Sequence, residues 1–517
     1  MYRKGKAKRI ASITLAAVLL TATLFEGKVN VVAAESREQV SSTTGEAIVM
    51  TEAKSISAGD VSGGDISDGD TEKEDEKNIS GESVTSGISR GCAWTLDAEG
   101  NLVVRDSDGT YGTDNWGWKD YKDKIKTADV NISYADLRGM LEDCISLTSA
   151  KVKIDDAVGH GTEGFFSGCV SLSDIDISGL NTQNATNMDH MFYRCGKLKY
   201  ADIENFNTQN VTDMSYMFFR CESLKSIDIG ELNTQNVTNM SGMFGYCYNL
   251  FNIDVSGFCT QNTTNMSNMF RACHSLAKID VSGFNTQNVT DMSQMFEECF
   301  NLTEINVSNF DTANVTDMNS MFRYCERLIS LDLTKFDTHN VIYMHKMFSQ
   351  CENLINIDVS NFNTKNVINM HEMFSECRSL TNIDVSGFNT SKVTSMNGMF
   401  SGCSNLTSID ISGFDTGQPW TMDMNSMFTG CTNIQSIKVF PNLSSEIDLP
   451  ISPMYDEKGN SYTQFPQKLP QGIWLYTEKI QTLDKNSVQV TDNVASIIFS
   501  DKTNNKECKC YGWYIYI

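Results

Sequence analysis

Nine aspartates that recur at one spacing are the residues of this chain best placed to act on a ligand. They are Asp176, Asp202, Asp228, Asp254, Asp280, Asp332, Asp358, Asp384 and Asp410, and Asn306 is the one break before Lys438. Each lies in a segment of the form Leu-x-x-Ile-Asp-Val, where alternation predicts a short strand that buries Ile and Val and exposes Asp. If such strands stack, successive carboxylates stand about 5 Å apart, and like charges at that distance disfavour ionisation. We call this set the acidic ladder.

Two interpretations of the acidic ladder are open. A basic partner or a loosely held Ca²⁺ ion would relieve the repulsion, since hard oxygen ligands suit Ca²⁺. Alternatively, neighbouring serines such as Ser256, Ser282 and Ser360 donate hydrogen bonds to the carboxylates, and the ladder simply keeps this face soluble. Neither interpretation predicts a defined set of metal ligands or a cofactor.

Twelve of the sixteen cysteines occupy a second recurring position. They are Cys144, Cys169, Cys195, Cys221, Cys247, Cys273, Cys299, Cys325, Cys351, Cys377, Cys403 and Cys431. Each completes an apolar face where a small hydrophobic side chain fits, and side chains in a stack point the same way. We therefore predict twelve buried free thiols, with disulfides between repeats as the alternative. The pairing state of Cys92, Cys259, Cys508 and Cys510 is open.

Asparagines form a third recurring set. They are Asn210, Asn236, Asn262, Asn288, Asn314, Asn340 and Asn366, and Lys392 takes the next place. The Asn-Val-Thr sequence imitates a glycosylation acceptor. We favour an amide ladder that satisfies backbone groups from one repeat to the next.

Catalytic chemistry finds little support. The six histidines are His160, His190, His274, His339, His345 and His371, and none lies in a metalloprotease, nucleophile-elbow or phosphate-loop motif. His345 and His371 share one repeat position and should be neighbours. Two stacked histidines could contribute to a metal site, but a four-ligand site needs more. We predict no catalytic residues, no metal site and no cofactor.

Composition excludes several classes of protein. The chain has 517 residues, a formal net charge of −24, and 40% hydrophobic residues. This acidity argues against nucleic acid or anionic lipid as a partner, because both need basic residues. The hydrophobic fraction is too ordinary for a multi-span membrane protein.

The N-terminal segment has the order of a secretory signal. Basic residues lie within positions 3–9, an apolar run covers 10–24, and Val32-Ala33-Ala34 supplies small residues for cleavage. We predict cleavage after Ala34, hence a secreted or cell-surface protein with no membrane span after signal removal. A retained anchor is the alternative, for which the apolar run is short. Residues 35–88, with thirteen Asp or Glu against four Lys or Arg, predict an acidic disordered linker.

The 26-residue period predicts the architecture. The cysteine series steps by 26 residues from Cys169 to Cys403, and two methionine series share that step. Such a period indicates a solenoid, propeller or array, and a propeller blade would need about four strands in a longer repeat. Within each repeat, Leu-x-x-Ile-x-Ile predicts a short strand. Met240, Met243 and Cys247 then lie on one face of a predicted short helix with Thr238 as N-cap.

These repeats resemble a known family. Leu-x-x-Ile-Asp-Val-Ser-Gly-Phe-Asn-Thr, followed by Asn-Val-Thr-x-Met-x-x-Met-Phe-x-x-Cys, resembles the BspA-like leucine-rich repeat of bacterial surface proteins, in the 26-residue variant of mycoplasma surface lipoproteins. The match covers about residues 134–440. Residues 92–104 resemble a hairpin that often opens such proteins, and residues 454–462 a segment that often closes them. The resemblance implies an adhesin-like role, since some members are reported to bind host matrix proteins.

The predicted fold is a right-handed, leucine-rich-repeat-like α/β solenoid. About twelve strand–arc–short-helix repeats stack through a parallel β-sheet, with β-rich caps at both ends. The predicted division is a signal peptide (1–34), a linker (35–88), an N-terminal β cap (89–133), the repeats (134–440) and a C-terminal β-rich cap (441–517). The last repeat has a two-residue insertion around Gly417 to Trp420. We find no Leu-Pro-x-Thr-Gly sorting signal and expect an incomplete gene product or a non-covalent wall attachment.

The predicted function is that of a non-enzymatic, adhesin-like binding protein. We expect a monomer whose sheet binds an extracellular protein, either a host matrix protein or the surface of another cell, and no nucleic acid. A second hypothesis is a structural spacer that displays another module. A third, ranked below both, is an extracellular glycan hydrolase, which needs paired carboxylates in a pocket.

Overall fold

The structure is a computed structural model. It describes residues 29–31, 83–157, 161–414, 423–439, 449–463, 465, 472–478, 481–483, 488–490, 497–500 and 507–508. The chain divides into a larger compact unit, Glu46–Lys479, and a smaller one formed by Met1–Gly45 with Ile480–Ile517. The cleavage site after Ala34, the predicted linker up to residue 82, and the insertion around Gly417 to Trp420 lie outside the described residues. The last six residues of the predicted linker, 83–88, belong instead to a strand, Ser83–Ser89, which pairs with the strand that follows it.

Short strands dominate the secondary structure. In chain order they are β1 Val29–Val31, β2 Ser83–Ser89, β3 Cys92–Asp97, β4 Asn101–Asp106, β5 Thr127–Ala135, β6 Ser149–Ala157, β7 Asp174–Leu180, β8 Ser226–Ile227, β9 Asn252–Ile253, β10 Lys278–Ile279, β11 Glu304–Ile305, β12 Ser330–Leu331, β13 Asn356–Ile357, β14 Ser408–Asp410, β15 Ser436–Lys438, β16 Met454–Asp456, β17 Ser461–Tyr462, β18 Trp474–Tyr476, β19 Gln481–Leu483, β20 Val488–Val490, β21 Ile497–Ser500 and β22 Glu507–Cys508. Among the described residues the one helix is a 3₁₀ turn, Lys119–Tyr121. Within the same residues no helix has the length and hydropathy needed to cross a membrane.

A six-stranded sheet, ordered β2-β3-β4-β5-β6-β7, opens the larger unit. The strands β2, β3 and β4 pair antiparallel, and the hairpin predicted at residues 92–104 is present, with Trp94 opposite Val104. From β4 onward every pair in this sheet is parallel. The hairpin therefore covers the edge that the first parallel strand would otherwise expose.

The central repeats stack in register. Ser226 lies opposite Asn252, Lys278 opposite Glu304, and Ser330 opposite Asn356, always in parallel pairs. Partners are 26 residues apart in each case, which confirms the predicted solenoid of parallel strands. The apolar side chains that one repeat cannot bury alone are covered by its neighbours.

The short helix predicted in each repeat is wrong. In the segment that follows Met214, the amides of Tyr216 and Phe218 donate to the carbonyls of Ser241 and Met243 in the next repeat, at 2.8 and 2.9 Å. An α-helix would instead pair these groups four residues apart within the segment. The amides between them close tight turns within the repeat, such as Met217 onto the Met214 carbonyl at 3.4 Å. We call these segments, from Met to Cys in each repeat, the turn face.

Left-handed residues make this chain of turns possible. Tyr216 has φ of 56° and Arg220 has φ of 61°, and equivalent positions in other repeats are similar. Positive φ is strained for ordinary residues, and hydrogen bonds to the next repeat stabilise it here. Thr238, predicted as a helix N-cap, instead donates its hydroxyl to the Thr212 carbonyl of the preceding repeat at 3.1 Å.

Identical side chains stack along the core. Ring centroids of neighbouring phenylalanines lie 5.2 to 6.0 Å apart, with planes within 11° of parallel, through Phe166, Phe192, Phe218, Phe244, Phe270, Phe296, Phe322, Phe348, Phe374, Phe400 and Phe428. The two methionine series and the leucine that opens each repeat are buried beside them. The residues that the 26-residue period predicts to face inward therefore form the core.

A five-stranded sheet, ordered β14-β15-β18-β16-β17, follows the repeats. Strands β14 and β15 pair in parallel, and every later pair is antiparallel, so this sheet ends the parallel stack. In the smaller unit, β1 pairs antiparallel with β19, and β20, β21 and β22 form an antiparallel sheet.

Candidate functional site

The acidic ladder lies on the outer side of the strands, as alternation predicts. Eight of its members are exposed and Asp410 is half-buried. On either side of Asp228, which directly follows β8, Ile227 is 8% exposed and Ile229 is 3% exposed. The solenoid therefore presents a line of carboxylates along its strand side, which we call the strand face.

Each carboxylate caps its own turn. The amides of Ser256 and Ser282 donate to Asp254 and Asp280 at 2.9 and 3.0 Å. This is the local hydrogen bonding that Asp side chains favour in turns. Side-chain and backbone hydrogen bonds from the serine two residues ahead lower the pKa of both carboxyls.

The predicted repulsion is present at Asp280, but other contacts outweigh it. At Asp280 the neighbouring Asp254 does raise the pKa, but this is the weakest of the causes and the net pKa is lowered. The same direction holds at Asp176, Asp332 and Asp358. These carboxylates therefore agree with the second interpretation. The serine or threonine two residues ahead donates hydrogen bonds that favour the ionised carboxylate.

The C-terminal end of the ladder has a cation. Lys438 Nζ donates to Asp410 at 2.8 Å. Burial raises the pKa of Asp410, and hydrogen bonds from Lys438 and Ser412 more than offset it, so the net pKa is lowered. Among the described residues no group of three or more His, Cys, Asp or Glu is arranged to hold a metal ion.

Two further ladders join the arcs between strand and turn face. The predicted asparagine ladder is confirmed: Asn236 Nδ2 donates to the carbonyl of Gln209 and Asn262 Nδ2 to that of Gln235, both at 2.8 Å. A threonine ladder was not predicted. Thr260 is 1% exposed, accepts the Asn285 amide at 2.7 Å and donates to the Asn285 carbonyl at 3.0 Å. The invariant Thr in the Phe-Asn-Thr segment was its only signal in the sequence.

All twelve repeated cysteines are buried free thiols, as predicted. Each of the thiols from Cys169 onward donates to a carbonyl of the preceding repeat, as Cys247 does to Phe218 at 3.2 Å. Burial raises the pKa of Cys299 and Cys351 to about 12. A protonated, buried thiol is a poor nucleophile. Cys259 differs, because it is exposed.

Aromatic rings occupy variable positions on and directly after the turn face. Half-buried rings form an unbroken chain with centroids 4.5 to 6.1 Å apart, made of His190, Tyr193, Tyr216, Phe219, Tyr246, Tyr248, His274, Phe300 and Tyr324. Sequence reasoning concentrated on identical positions and missed these rings. For six of the nine rings the signal was a place among the variable residues of Met-x-x-Met-Phe-x-x-Cys, which should face outward if the constant ones face inward. Tyr248, His274 and Phe300 instead directly follow the cysteine of their repeat.

An ion triad interrupts the turn face. Glu297, fully buried, lies 3.0 Å from both Arg271 Nε and Arg323 Nη1, which come from the repeats before and after it. The two guanidinium groups also lie over the rings of Tyr246 and Tyr324, at 5.2 and 4.6 Å from the centroids. The triad therefore joins side chains from three successive repeats, in addition to the backbone hydrogen bonds between them.

His345 and His371 are neighbours, as their shared position predicts. Their rings stack at 4.8 Å with an interplanar angle of 21°. Burial is the main reason that the pKa of His345 falls to about 4, and His371, Lys346 and Arg323 lower it further. The pair is therefore neutral at physiological pH and forms part of the packing.

The comparison with protein families gives one match. Residues 161–279, 264–383 and 325–440 match the family described as Mycoplasma protein of unknown function, DUF285. The three overlapping matches together cover residues 161–440, which is more than half of the chain. No curated protein matches the chain.

Solved structures offer only a distant likeness. A leucine-rich repeat protein from Eubacterium ventriosum is 15% identical over 70% of this chain and 98% of its own, with a TM-score of 0.35. A leucine-rich cell surface protein from Faecalibacterium prausnitzii is 18% identical over 69% and 95%, with a TM-score of 0.30. An internalin from Listeria monocytogenes is 11% identical over 67% and 89%, with a TM-score of 0.19. Scores this low add nothing to the argument about function.

Proposed function

From the premise that this chain belongs to the family described as Mycoplasma protein of unknown function, DUF285, we propose that it is a non-enzymatic, secreted or cell-surface binding protein. The observation that carries the proposal is the strand face, where ionised carboxylates recur along one side of the stacked repeats. Extended surfaces of this kind are what solenoid proteins use to bind partners. The binding role is adhesin-like, and the partner is an extracellular protein with a basic surface, on a host matrix or another cell.

The chemistry of the buried groups supports a role without catalysis. The repeated thiols are protonated and buried, and the stacked His345 and His371 are neutral and packed. Activated nucleophiles and bases need the opposite, namely a lowered thiol pKa or a histidine that titrates near neutrality. Hydrogen bonds lower the pKa of ladder carboxyls such as Asp254, Asp280 and Asp358, whereas a glycosidase acid needs a raised pKa.

The test replaces the central carboxylates of the ladder. We expect Asp228→Asn, Asp254→Asn and Asp280→Asn together to weaken binding to immobilised matrix proteins at low salt. Asn can accept the same turn hydrogen bonds, so the variant should unfold at the wild-type temperature. Binding is measured by surface plasmon resonance with residues 83–517, which retain β2, and residues 35–82 alone serve as the negative control.

A matched variant controls for net charge. Glu204→Gln, Glu231→Gln and Asp311→Asn remove three exposed carboxylates outside the ladder. This variant should bind as the wild type does. Equal binding by both triple variants would show that the acidic ladder is not the recognition surface.

The division of the chain and its export remain part of the proposal. We keep the signal peptide to Ala34, the repeats over 134–440 and a cap on each side of them, and we end the linker before β2, which begins at Ser83. Sequencing the N-terminus of the exported protein tests the first boundary, because export with residues 1–34 retained contradicts it.

A further inference from the structure

Five basic side chains cluster where the turn face meets the strand face in two successive repeats. They are Arg194, Lys197, Lys199, Arg220 and Lys225, and we call them the basic corner. The Lys225 amide donates to the Lys199 carbonyl at 3.4 Å, and Arg220 occupies the position of Arg194 one repeat later. The two pairs are therefore each separated by one strand spacing, about 4.8 Å.

Several other cations of the repeats have carboxylate partners, although Arg327, Lys335 and Lys365, like the basic corner, form no ion pair with the described residues. Arg271 and Arg323 share Glu297, Arg378 pairs with Glu352, and Lys278 pairs with Glu304. Among the described residues no member of the basic corner forms an ion pair, although Glu222 lies in the same segment. In a chain with a net charge of −24, this corner is a local concentration of unneutralised positive charge.

The basic corner is confined to these repeats. The position of Arg194 and Arg220 is occupied by Ala272, Glu298 and Gln350 in later repeats. The position of Lys199 and Lys225 passes to threonine, alanine or isoleucine beyond Phe251. A ligand that recognises the corner therefore has one site on the solenoid, whereas the acidic ladder offers nearly equivalent sites along its length.

Exposed aromatic side chains flank the corner. Tyr200 follows Lys199 and is 62% exposed, and Phe251 is 58% exposed. The Phe251 amide donates to the Lys225 carbonyl at 3.1 Å, so its ring lies one repeat beyond the lysine pair. Arg220 lies 5.0 Å from the centroid of Tyr246. Arginine and aromatic side chains are the residues enriched in protein–protein interfaces.

We propose that the basic corner binds an acidic segment of a partner protein, with two or three carboxylates flanked by apolar side chains. The carboxylates meet the cation pairs, and the apolar side chains cover Tyr200 and Phe251. A long polyanion fits less well, because Asp202, Asp228 and Asp254 border the corner on the strand face and repel it. The inference rests on the proposed protein-binding function but assigns a different surface and a partner of opposite charge.

The test uses the full chain and a defined probe. The probe is a fluorescein-labelled twelve-residue peptide in which Glu and Asp alternate with Leu and Phe; a second peptide replaces the acids with Gln and Asn. We expect Lys199→Gln, Arg220→Gln and Lys225→Gln together to raise the Kd for the acidic peptide about tenfold at low salt, since three charge pairs with the peptide are lost and each exposed pair contributes little alone. The Kd is measured by fluorescence anisotropy.

A matched variant controls for total charge. Arg327→Gln, Lys335→Gln and Lys365→Gln remove the same three charges at exposed positions elsewhere. This variant should shift the Kd less than about twofold, because screened charges beyond a Debye length contribute little. All substituted side chains are exposed or half-buried on the surface, and unchanged circular dichroism confirms that both variants fold.

The remaining outcomes overturn the proposal. The basic corner is not the binding site if the acidic peptide does not bind or if both triple variants lose binding equally. It is also not the site if the Gln/Asn peptide binds as well as the acidic peptide. Tighter binding of heparin, a single-stranded oligonucleotide or phosphatidylserine vesicles than of the peptide overturns the assignment to a protein partner. The variant in which Asp228, Asp254 and Asp280 are replaced by Asn should still bind the acidic peptide. Its binding to matrix proteins is a separate measurement, which tests the proposed function.

Discussion

The stacked histidines show how burial sets the charge of a side chain. His345 and His371 lie on the turn face with Lys346, Arg323 and Glu372 around them. Burial and the nearby positive charges favour the neutral imidazoles, and Glu372 opposes them only weakly. The pair therefore packs as two apolar rings at neutral pH, and protonation of either ring would place a charge in that contact.

This arrangement predicts a pH-dependent loss of stability. The pKa of His345 is about 4 in the folded protein, against 6.5 as its ordinary value. The unfolded chain then binds more protons between these values, so stability falls as pH drops from 6.5 towards 4 and is unaffected above 6.5. With partial exposure considered, we expect this pair to account for roughly 1–2 kcal/mol between pH 7 and 4.5.

The measurement compares urea unfolding at pH 7 and pH 4.5. His345→Asn with His371→Asn should reduce the pH-dependent loss, and asparagine is suitable because Asn319 and Asn397 hold this position in the neighbouring repeats. The control is His339→Asn, whose side chain is 46% exposed. The same pH dependence in the wild type and the double variant would contradict the explanation.

Glu297 illustrates a different residue-scale effect. It is the only buried acid of the turn face among the described residues, and its two arginines come from neighbouring repeats. Removing one member of a buried ion pair leaves uncompensated charge, which costs about 3–5 kcal/mol in other proteins. Individual repeats are thus not interchangeable, although their cores are nearly identical.

At the scale of the element, the turn face replaces a helix with hydrogen bonds between repeats. Every second amide there is satisfied by the next repeat, as when Phe244 donates to Met269 at 2.9 Å. Buried backbone groups must be paired, and a helix or a stack of turns meets that requirement equally. The stack also brings each thiol against a carbonyl of the preceding repeat, which a separate helix would not do.

The thiol ladder predicts a sharp contrast in reactivity. In native protein treated with iodoacetamide, we expect the peptide containing Cys259 to be labelled quickly and the peptide containing Cys273 to be labelled slowly. Cys259 is exposed, whereas Cys273 is buried and desolvation raises its pKa. Peptide mapping by mass spectrometry gives both rates from one sample, and denatured protein serves as the control in which they should converge.

Two results would contradict the ladder of free thiols. Fast labelling of Cys273 would mean that the turn face opens readily. Peptides joined by disulfides between adjacent repeats would mean that the thiols oxidise despite their shared direction.

For the whole molecule, contacts between nearest neighbours predict that one repeat can be removed. Deleting residues 354–379 keeps the 26-residue register and should leave a shorter, cooperatively folded solenoid. Deleting residues 276–301 keeps the same register but removes Glu297, so Arg271 and Arg323 become neighbours without their shared carboxylate. We expect the second deletion to be less stable than the first by roughly 1–3 kcal/mol.

Thermal unfolding followed by circular dichroism measures both deletions. Adding Arg323→Ser to the second deletion should recover part of the loss, because serine holds this position at Ser349 and Ser375. Equal stability of the two deletions would show that the ion triad contributes nothing. Loss of cooperative unfolding in both would contradict the repeat register.

Much of the fold follows from the sequence period. The spacing of cysteine, methionine and aspartate identified the repeats, the inward residues and the exposed acidic ladder, because a stack of equal repeats places equal residues in line. The amide ladder of Asn236 and its equivalents was predictable for the same reason. The boundaries of the predicted domains and the signal peptide stay predictions.

The tertiary structure decided what one repeat alone leaves ambiguous. Apolar residues at i, i+3, i+4 and i+7 suit a helix and a chain of turns alike, and only the amides of the adjacent repeat select the turns. The pKa of Asp280 depends on whether Ser282 or Asp254 is the stronger neighbour, which is a matter of distance. The Arg271–Glu297–Arg323 triad and the unpaired basic corner likewise arise from residues 26 positions apart, whose contact the chain creates only when the repeats stack.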